Sequence, residues 1–408
     1  MNKKRDITGI TSPKGFYAAS GTCGMKPSGM PDLALIAAET DCAAAGVFTR
    51  NKVPGEPVKV SKKHLRTGFA RAIICNSGVS NVCTGDTGRR NALMMCRLVA
   101  NAIDVRPESV LVCSTGVIGV PLPMDKIKPG IAAICGRLTR GGSIDKQVAT
   151  AILTTDLVPK TASRQFTLGG KTITLAGVAK GSGMIAPNMA TMLCFITTDA
   201  AIKSACLSYA LKQAVNQSFN RISVDEDTST SDSVLVLASG KAGNRAISQT
   251  SGRNYHVFFR ALTDLCCDLA TRIVRDGEGA TKLIRVVVTG ARSERDADRV
   301  GKTVVGSPLV KTAVHGGDPN WGRIVMAVGR SGAAVNPSRL SVSIGGSAVF
   351  RNGCPVEQTK ASLRKLQQCM NSKEVEIVIN LKLGSVRSQW LGCDLSRQYI
   401  DINADYTT

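Results

Sequence analysis

Short apolar runs, each closed by glycine or serine, recur along the chain. RAIICNSG, SVLVCSTG, KTITLAGVAKG, TMLCFITTDA, DSVLVLASG, IRVVVTGA, RLSVSIGG, EVEIVINLKLG and the segment 386–394 read as strands. A helical period is clearest over 87–102, 205–219, 256–275 and 356–370. The third of these carries Arg272 and Arg275 in its last turn, with Gly277 as a stop just beyond. A further apolar helix begins near Asn320, where Asp318, Pro319 and Asn320 read as its start. Strands and helices do not alternate strictly, which disfavours a doubly wound sheet. The pattern predicts layered α+β, a sandwich with sheets packed on each other and covered by helices. No repeat or low-complexity linker interrupts it. The polar stretch 240–254 reads as a surface loop in preference to a linker.

Composition narrows the class. A chain of 408 residues has the length of two to three domains or one large layered domain. With 43% hydrophobic but only 4% aromatic residues, aliphatic side chains and the 40 glycines must do the packing. No apolar run is long enough for a membrane span, and the basic N-terminus lacks the apolar stretch of a secretory signal. The 14 cysteines sit singly in apolar runs, apart from the adjacent Cys266 and Cys267, and the only histidines are His64, His256 and His315. Zinc-type spacing is absent and no metal site is expected; buried thiols in a reducing, cytoplasmic compartment fit. The formal charge of +22 is spread along the chain without interleaved aromatics, which argues against nucleic acid as a partner. A general attraction for anionic substrates and a merely solvated basic surface both fit that charge.

Several stretches carry candidate chemistry. KGSGMIA, from Lys180, matches the loose dinucleotide fingerprint, but Pro187 and an apolar strand follow where a helix is required. GGKT at Gly169 and GKT at Gly301 lack the upstream glycine of a P-loop. Ser114, Thr115 and Gly116 end a strand, either in a tight turn or with backbone N–H groups aimed at a ligand, as in an oxyanion hole. Asp225, Glu226, Asp227 and Asp232 crowd a hydroxyl-rich stretch; without the glycine and glutamate of an EF-hand this reads as a hydrogen-bonded turn in preference to a cation site. Glu278 lies between two glycines past a helix, a solvated position or a hinge that presents an acid. GSGMIAPNMATMLCF runs a glycine-rich loop directly into a strand led by Thr191.

Taken together, KGSGMIAPNMATML, VDEDTSTSD, GEGATK, SPLVKTAVHGGDPNWGRI and the terminal YIDINADYTT resemble, in this order, the signature blocks of ornithine acetyltransferases, also called glutamate N-acetyltransferases, of arginine biosynthesis. The resemblance starts near AAAGVFTRNKVPGEPV and runs to the last residue. It implies the N-terminal-nucleophile type of layered α+β fold. It also implies self-cleavage between Ala190 and Thr191, giving an α chain 1–190 and a β chain 191–408 that assemble as an α2β2 heterotetramer.

The activity it implies is a two-step acetyl transfer from N2-acetylornithine to glutamate, with acetyl-CoA allowed as a second donor and no cofactor. Thr191 is then the nucleophile, Thr115 and Gly116 the oxyanion hole, and Glu278 an acid–base or ammonium-binding group. Thr154, Lys180, Thr191, Glu278, Asn403 and Thr408 are the substrate contacts it implies. Threonine suits the role chemically. Its Oγ can attack the preceding carbonyl, and the freed α-amine, with a reference pKa of about 7.7–8.0, is a usable base at neutral pH. Five positions depart from the usual family blocks: Val79, Ser80, Glu226, Ser231 and His315. The alternative reading keeps the fold and makes water the acceptor, as in a self-cleaving aminopeptidase or amidase.

Overall fold

A computed structural model of the protein describes residues 9–186 and 192–405. Ala190, Thr191 and Thr408 lie outside the described residues. The apolar runs form two mixed sheets. The first has the order Val110–Val117, Phe69–Val79, Leu33–Phe48, Ser233–Ala238, Leu193–Thr198, Lys171–Lys180 and Lys160–Leu168, with Phe16–Gly21 also paired to Leu33–Phe48. The second has the order Cys354–Pro355, Ser347–Arg351, Ser341–Ile344, Glu374–Asn380, Leu283–Ala291, Val386–Cys393 and Ile222–Ser223. Parallel pairs join Phe69–Val79 to Val110–Val117 and Leu283–Ala291 to Glu374–Asn380, while most other neighbours are antiparallel.

The helix Arg253–Arg275 packs between the sheets. Its Leu262, Leu265, Leu269 and Ile273 share one core with Ile173, Leu175 and Ile196 of the first sheet and Leu283 and Leu391 of the second. Helices Gly85–Ala102 and Met124–Cys135 cover another part of the first sheet, and Glu294–Gly306 covers the second. The layered α+β expectation therefore holds. The polar stretch 240–254 is a loop: Ile247 donates to the Ala201 carbonyl and accepts from the Lys203 N–H, and its side chain is buried.

One expectation needs adjusting, and one strand was not expected at all. The helix expected over 356–370 begins only at Lys360, because the Val356 N–H pairs with the Val349 carbonyl and the Thr359 hydroxyl caps the first turn. The central strand Leu33–Phe48 has no apolar–polar signature, being rich in alanine and crossed by exposed Glu39, Thr40 and Asp41. Its register shifts between Ala37 and Cys42, so its first half pairs with Phe16–Gly21 and its second half with Ser233–Ala238.

The two glycine motifs that failed as P-loops have structural roles. Gly169 and Gly170, with φ of 54° and 79°, form the two-residue turn between Lys160–Leu168 and Lys171–Lys180. Gly301 lies against Trp390, and a Cβ there would sit 2.2 Å from the indole Cδ1. All fourteen cysteines are free; eight are buried, with the Cys42 and Cys113 thiols pushed up to about 12 by burial, whereas Cys83 and Cys354 are exposed, against the expectation of buried thiols. Among the described residues no helix is long and apolar enough to cross a membrane. Gly301→Ala should overpack the indole contact and cost about 1–3 kcal/mol, read as a lower denaturant midpoint at unchanged slope.

Candidate active site

A cavity of about 240 Å3 draws its walls from both halves of the molecule. Thr115 and Gly116 reach it from the end of Val110–Val117, Thr154 from the turn after helix Gly142–Ala151, and Lys180 from the end of its strand. Glu278 comes from the turn after Arg253–Arg275, and Asn403 from the C-terminal helix Arg397–Asp405. The six described positions singled out by the resemblance thus line one cavity. Met192, the first described residue after the gap, lines it too.

The backbone reaches this arrangement through glycines with no room for a side chain. Gly116 has φ of 130°, and a Cβ would lie 2.2 Å from the Gly78 carbonyl carbon, where the pairing of the two strands slips. A Cβ on Gly183 would meet the Glu278 carboxylate at 2.3 Å. The segment 181–185 is pinned by carboxylates and hydroxyls. Gly181 N donates to Asp156 Oδ1 (2.6 Å), and Met184 N and Ile185 N donate to the two oxygens of Asp225 (2.6 and 2.7 Å). Ser182 Oγ pairs with Thr155 Oγ1 at 2.7 Å, and the Ser182 carbonyl accepts from Glu278 N at 2.9 Å. A dinucleotide loop offers its N–H groups to phosphate; here they are already taken by aspartates.

Glu278 is buried, and its Oε2 accepts from Asn403 Nδ2 at 2.9 Å. The C-terminal helix is docked on the adjacent hinge, where Ser396 Oγ donates to the Gly279 carbonyl and a Cβ on Gly279 would lie 2.5 Å from Tyr399 N. Tyr399, one helical turn before Asn403, also lines the cavity. Burial and then the facing carboxylates of Asp225, Glu278 and Asp227 push its hydroxyl well above the usual tyrosine range. Sequence reasoning missed it, although the i, i+4 spacing to Asn403 was a usable signal.

Behind the cavity lies a buried ion network. Lys160 Nζ is held by Asp156 Oδ1 at 2.6 Å and Asp276 Oδ2 at 2.5 Å, with the lysine side chain 1% exposed. The other Asp156 oxygen accepts from Thr154 N at 3.1 Å. Burial pushes the Asp156 carboxyl up, but the ammonium groups of Lys180 and Lys160 outweigh it and hold it below the ordinary range. Burial lowers Lys180, against the raising effect of Asp156. Lys180 Nζ also donates to Thr115 Oγ1 at 3.3 Å.

The charge of the cavity differs from that of the whole chain. Among the described residues, Asp225, Asp227, Asp232 and Glu278 line it against the single Lys or Arg, Lys180, so these residues do not concentrate the surplus of +22 at this site. The crowded acids around Asp225 act as a hydrogen-bonded turn, and among the described residues no group of three or more His, Cys, Asp or Glu could hold a metal ion. Of the departures from the usual blocks, Glu226 has φ of 67°, a left-handed conformation that glycine adopts more readily than glutamate. His315 Nδ1 pairs with Asp394 Oδ2 at 2.8 Å, tying its helix to the segment leading into the C-terminal helix. Ser80 and Ser231 both line the cavity.

The fold and the site define a layered α+β enzyme whose cavity is lined by the buried ammonium of Lys180 and the buried carboxylate of Glu278. The chain belongs to the ArgJ family, whose pattern matches residues 17–408. It is 47% identical over 402 residues to the arginine biosynthesis bifunctional protein ArgJ of Symbiobacterium thermophilum, covering 98% of both chains. It is 45% identical over 404 residues to the protein of the same name from Bacillus subtilis, covering 98% of this chain and 97% of that one. Among solved structures, the ornithine acetyltransferase of Mycobacterium tuberculosis in complex with ornithine is 41% identical, covers 45% of this chain and 97% of that one, and superposes with a TM-score of 0.41.

Replacing Lys160 by methionine would leave Asp156 and Asp276 as adjacent buried carboxylates without their shared cation. Lys160→Met should cost about 3–5 kcal/mol in denaturant unfolding, far above a surface ion pair.

Proposed function

We propose that this protein transfers an acetyl group from N2-acetylornithine to glutamate through an acetyl-Thr191 intermediate, after its own chain has been cut between Ala190 and Thr191. The observation that carries the reading is the convergence of Thr115, Gly116, Thr154, Lys180, Glu278 and Asn403 on one cavity that Met192, the residue bonded to Thr191, also lines.

In the first half-reaction Thr191 Oγ adds to the acetyl carbon, and its proton passes to the free α-amine of the same residue. The amide N–C bond then breaks, ornithine leaves with its nitrogen reprotonated, and the acetyl group remains as a threonine ester. In the second, the amine of glutamate attacks that ester, N-acetylglutamate leaves and Thr191 Oγ recovers its proton. Both steps pass through a tetrahedral oxyanion, for which Thr115 and Gly116 are the proposed donors. Lys180 pairs with the substrate carboxylate, and Glu278, steadied by Asn403, holds the side-chain ammonium of the donor or assists proton transfer. Thr154 and Thr408 complete the substrate contacts. The cycle needs no cofactor, and acetyl-CoA fits it as a second donor. Cleaved chains 1–190 and 191–408 of two precursors form the proposed α2β2 assembly. The free, buried cysteines support a reducing, cytoplasmic setting.

Incubation with acetyl-labelled N2-acetylornithine and glutamate should yield labelled N-acetylglutamate and free ornithine. Labelled acetate without transfer would instead support the hydrolytic reading. Thr191→Ala should lower the transfer rate by at least about 10^3-fold, and Glu278→Gln by about 10^2- to 10^4-fold.

A further inference from the structure

Asp156 does not line the cavity, and its side chain is fully buried. It nevertheless touches three parts of the site: Thr154 through its N–H, the residue after Lys180 through the Gly181 N–H, and Lys160, which links it to Asp276 just ahead of Glu278. A bidentate hydrogen-bonded carboxylate at this point fixes the spacing between the cavity wall bearing Thr154 and the wall bearing Lys180.

We infer that Asp156 is a positioning residue for carboxylate recognition: from outside the cavity it sets the Thr154 and Lys180 walls and supplies the counter-charge of the Lys180 ammonium. This rests on the proposed role of Lys180 as the carboxylate-binding cation. Lys180 is only 9% exposed, so water solvates that charge less than it would a surface lysine. The groups that face it are Asp156 and Lys160, Cys75 from Phe69–Val79, Asp232 ahead of Ser233–Ala238, the Thr115 hydroxyl and Lys26 from the loop after Phe16–Gly21. Two of those are cations that oppose its charge, and Asp156 is the strongest of the groups that favour it. The ammonium binds substrate carboxylate and the neutral amine does not, so recognition is present below the Lys180 pKa and is lost as pH rises through it. Removing the Asp156 charge lowers that pKa further.

The test compares kcat/KM for N2-acetylornithine and for its methyl ester, which lacks the carboxylate, across about pH 6 to pH 10. For Asp156→Asn the alkaline limb with the acid should move down by about one to three pH units, with about a tenfold loss near that limb, while the ester loses less than about twofold. An unmoved limb, or equal losses on acid and ester, would overturn the inference and leave Asp156 a purely structural ion-pair member. If Asp156→Asn does not fold, Asp156→Glu keeps the charge but displaces it: KM should rise for the acid alone, and an equal rise for the ester overturns the inference. Absence of transfer by the wild-type enzyme would count against the catalytic reading. The inference would then be read from binding at neutral pH, where Asp156→Asn should weaken ornithine but not putrescine, and equal weakening would overturn it.

Discussion

The site depends on one buried lysine. Lys160 opens the edge strand of the first sheet, and Asp276 caps the helix that runs between the sheets. An acid at a helix C-terminus opposes the helix dipole, and an ammonium with 1% exposure is costly to bury. Each is tolerable because of the other, together with Asp156. Their contact locks the start of Lys160–Leu168 to the turn that presents Glu278. The same three residues therefore hold Thr154, Lys180 and Glu278, drawn from three separate segments of the chain, around one space.

Around that anchor, glycines bring backbones closer than side chains would allow. Gly116 lies on the Gly78 peptide, Gly183 on the Glu278 carboxylate and Gly279 on the backbone of the C-terminal helix. Gly116 and Gly183 line the cavity themselves, and Gly279 adjoins Glu278, which does. The result is a polar site in which nearly every carboxylate already has a structural partner. Asp225 and Asp156 are committed to backbone N–H groups, while Lys180 and Glu278 stand at the cavity surface with one neutral partner each, Thr115 and Asn403. That division suits reversible binding: the scaffold charges are spent on geometry, and in the proposed reaction Lys180 and Glu278 meet the substrate.

The strands bounded by glycine were legible because continuous apolar runs and turn chemistry agree there, as in Val110–Val117 and Lys171–Lys180. Leu33–Phe48 was not, since an alanine-rich strand paired differently along its two halves leaves no simple period. Among the site residues, those the family resemblance assigns were legible, and Tyr399 and the supporting shell were not. Asp156 and Lys160 flank Leu157, Val158 and Pro159 in sequence, and nothing marks them as a buried ion pair until Asp276 is brought beside them. Tyr399 was hidden for the opposite reason: its role comes from a helix with no fully buried residue, docked at a single glycine. Net charge misled in one respect, because a strongly basic chain encloses a cavity with more carboxylates than cations.

The account requires that the chain make its own nucleophile, because a threonine inside a peptide has no α-amine to accept the Oγ proton. Intact mass and N-terminal sequencing of the purified wild-type protein under denaturing conditions test this most directly. Two fragments, one beginning Thr191-Met192-Leu193, are the predicted result, and a single chain of 42.9 kDa in a preparation active in acetyl transfer would contradict it.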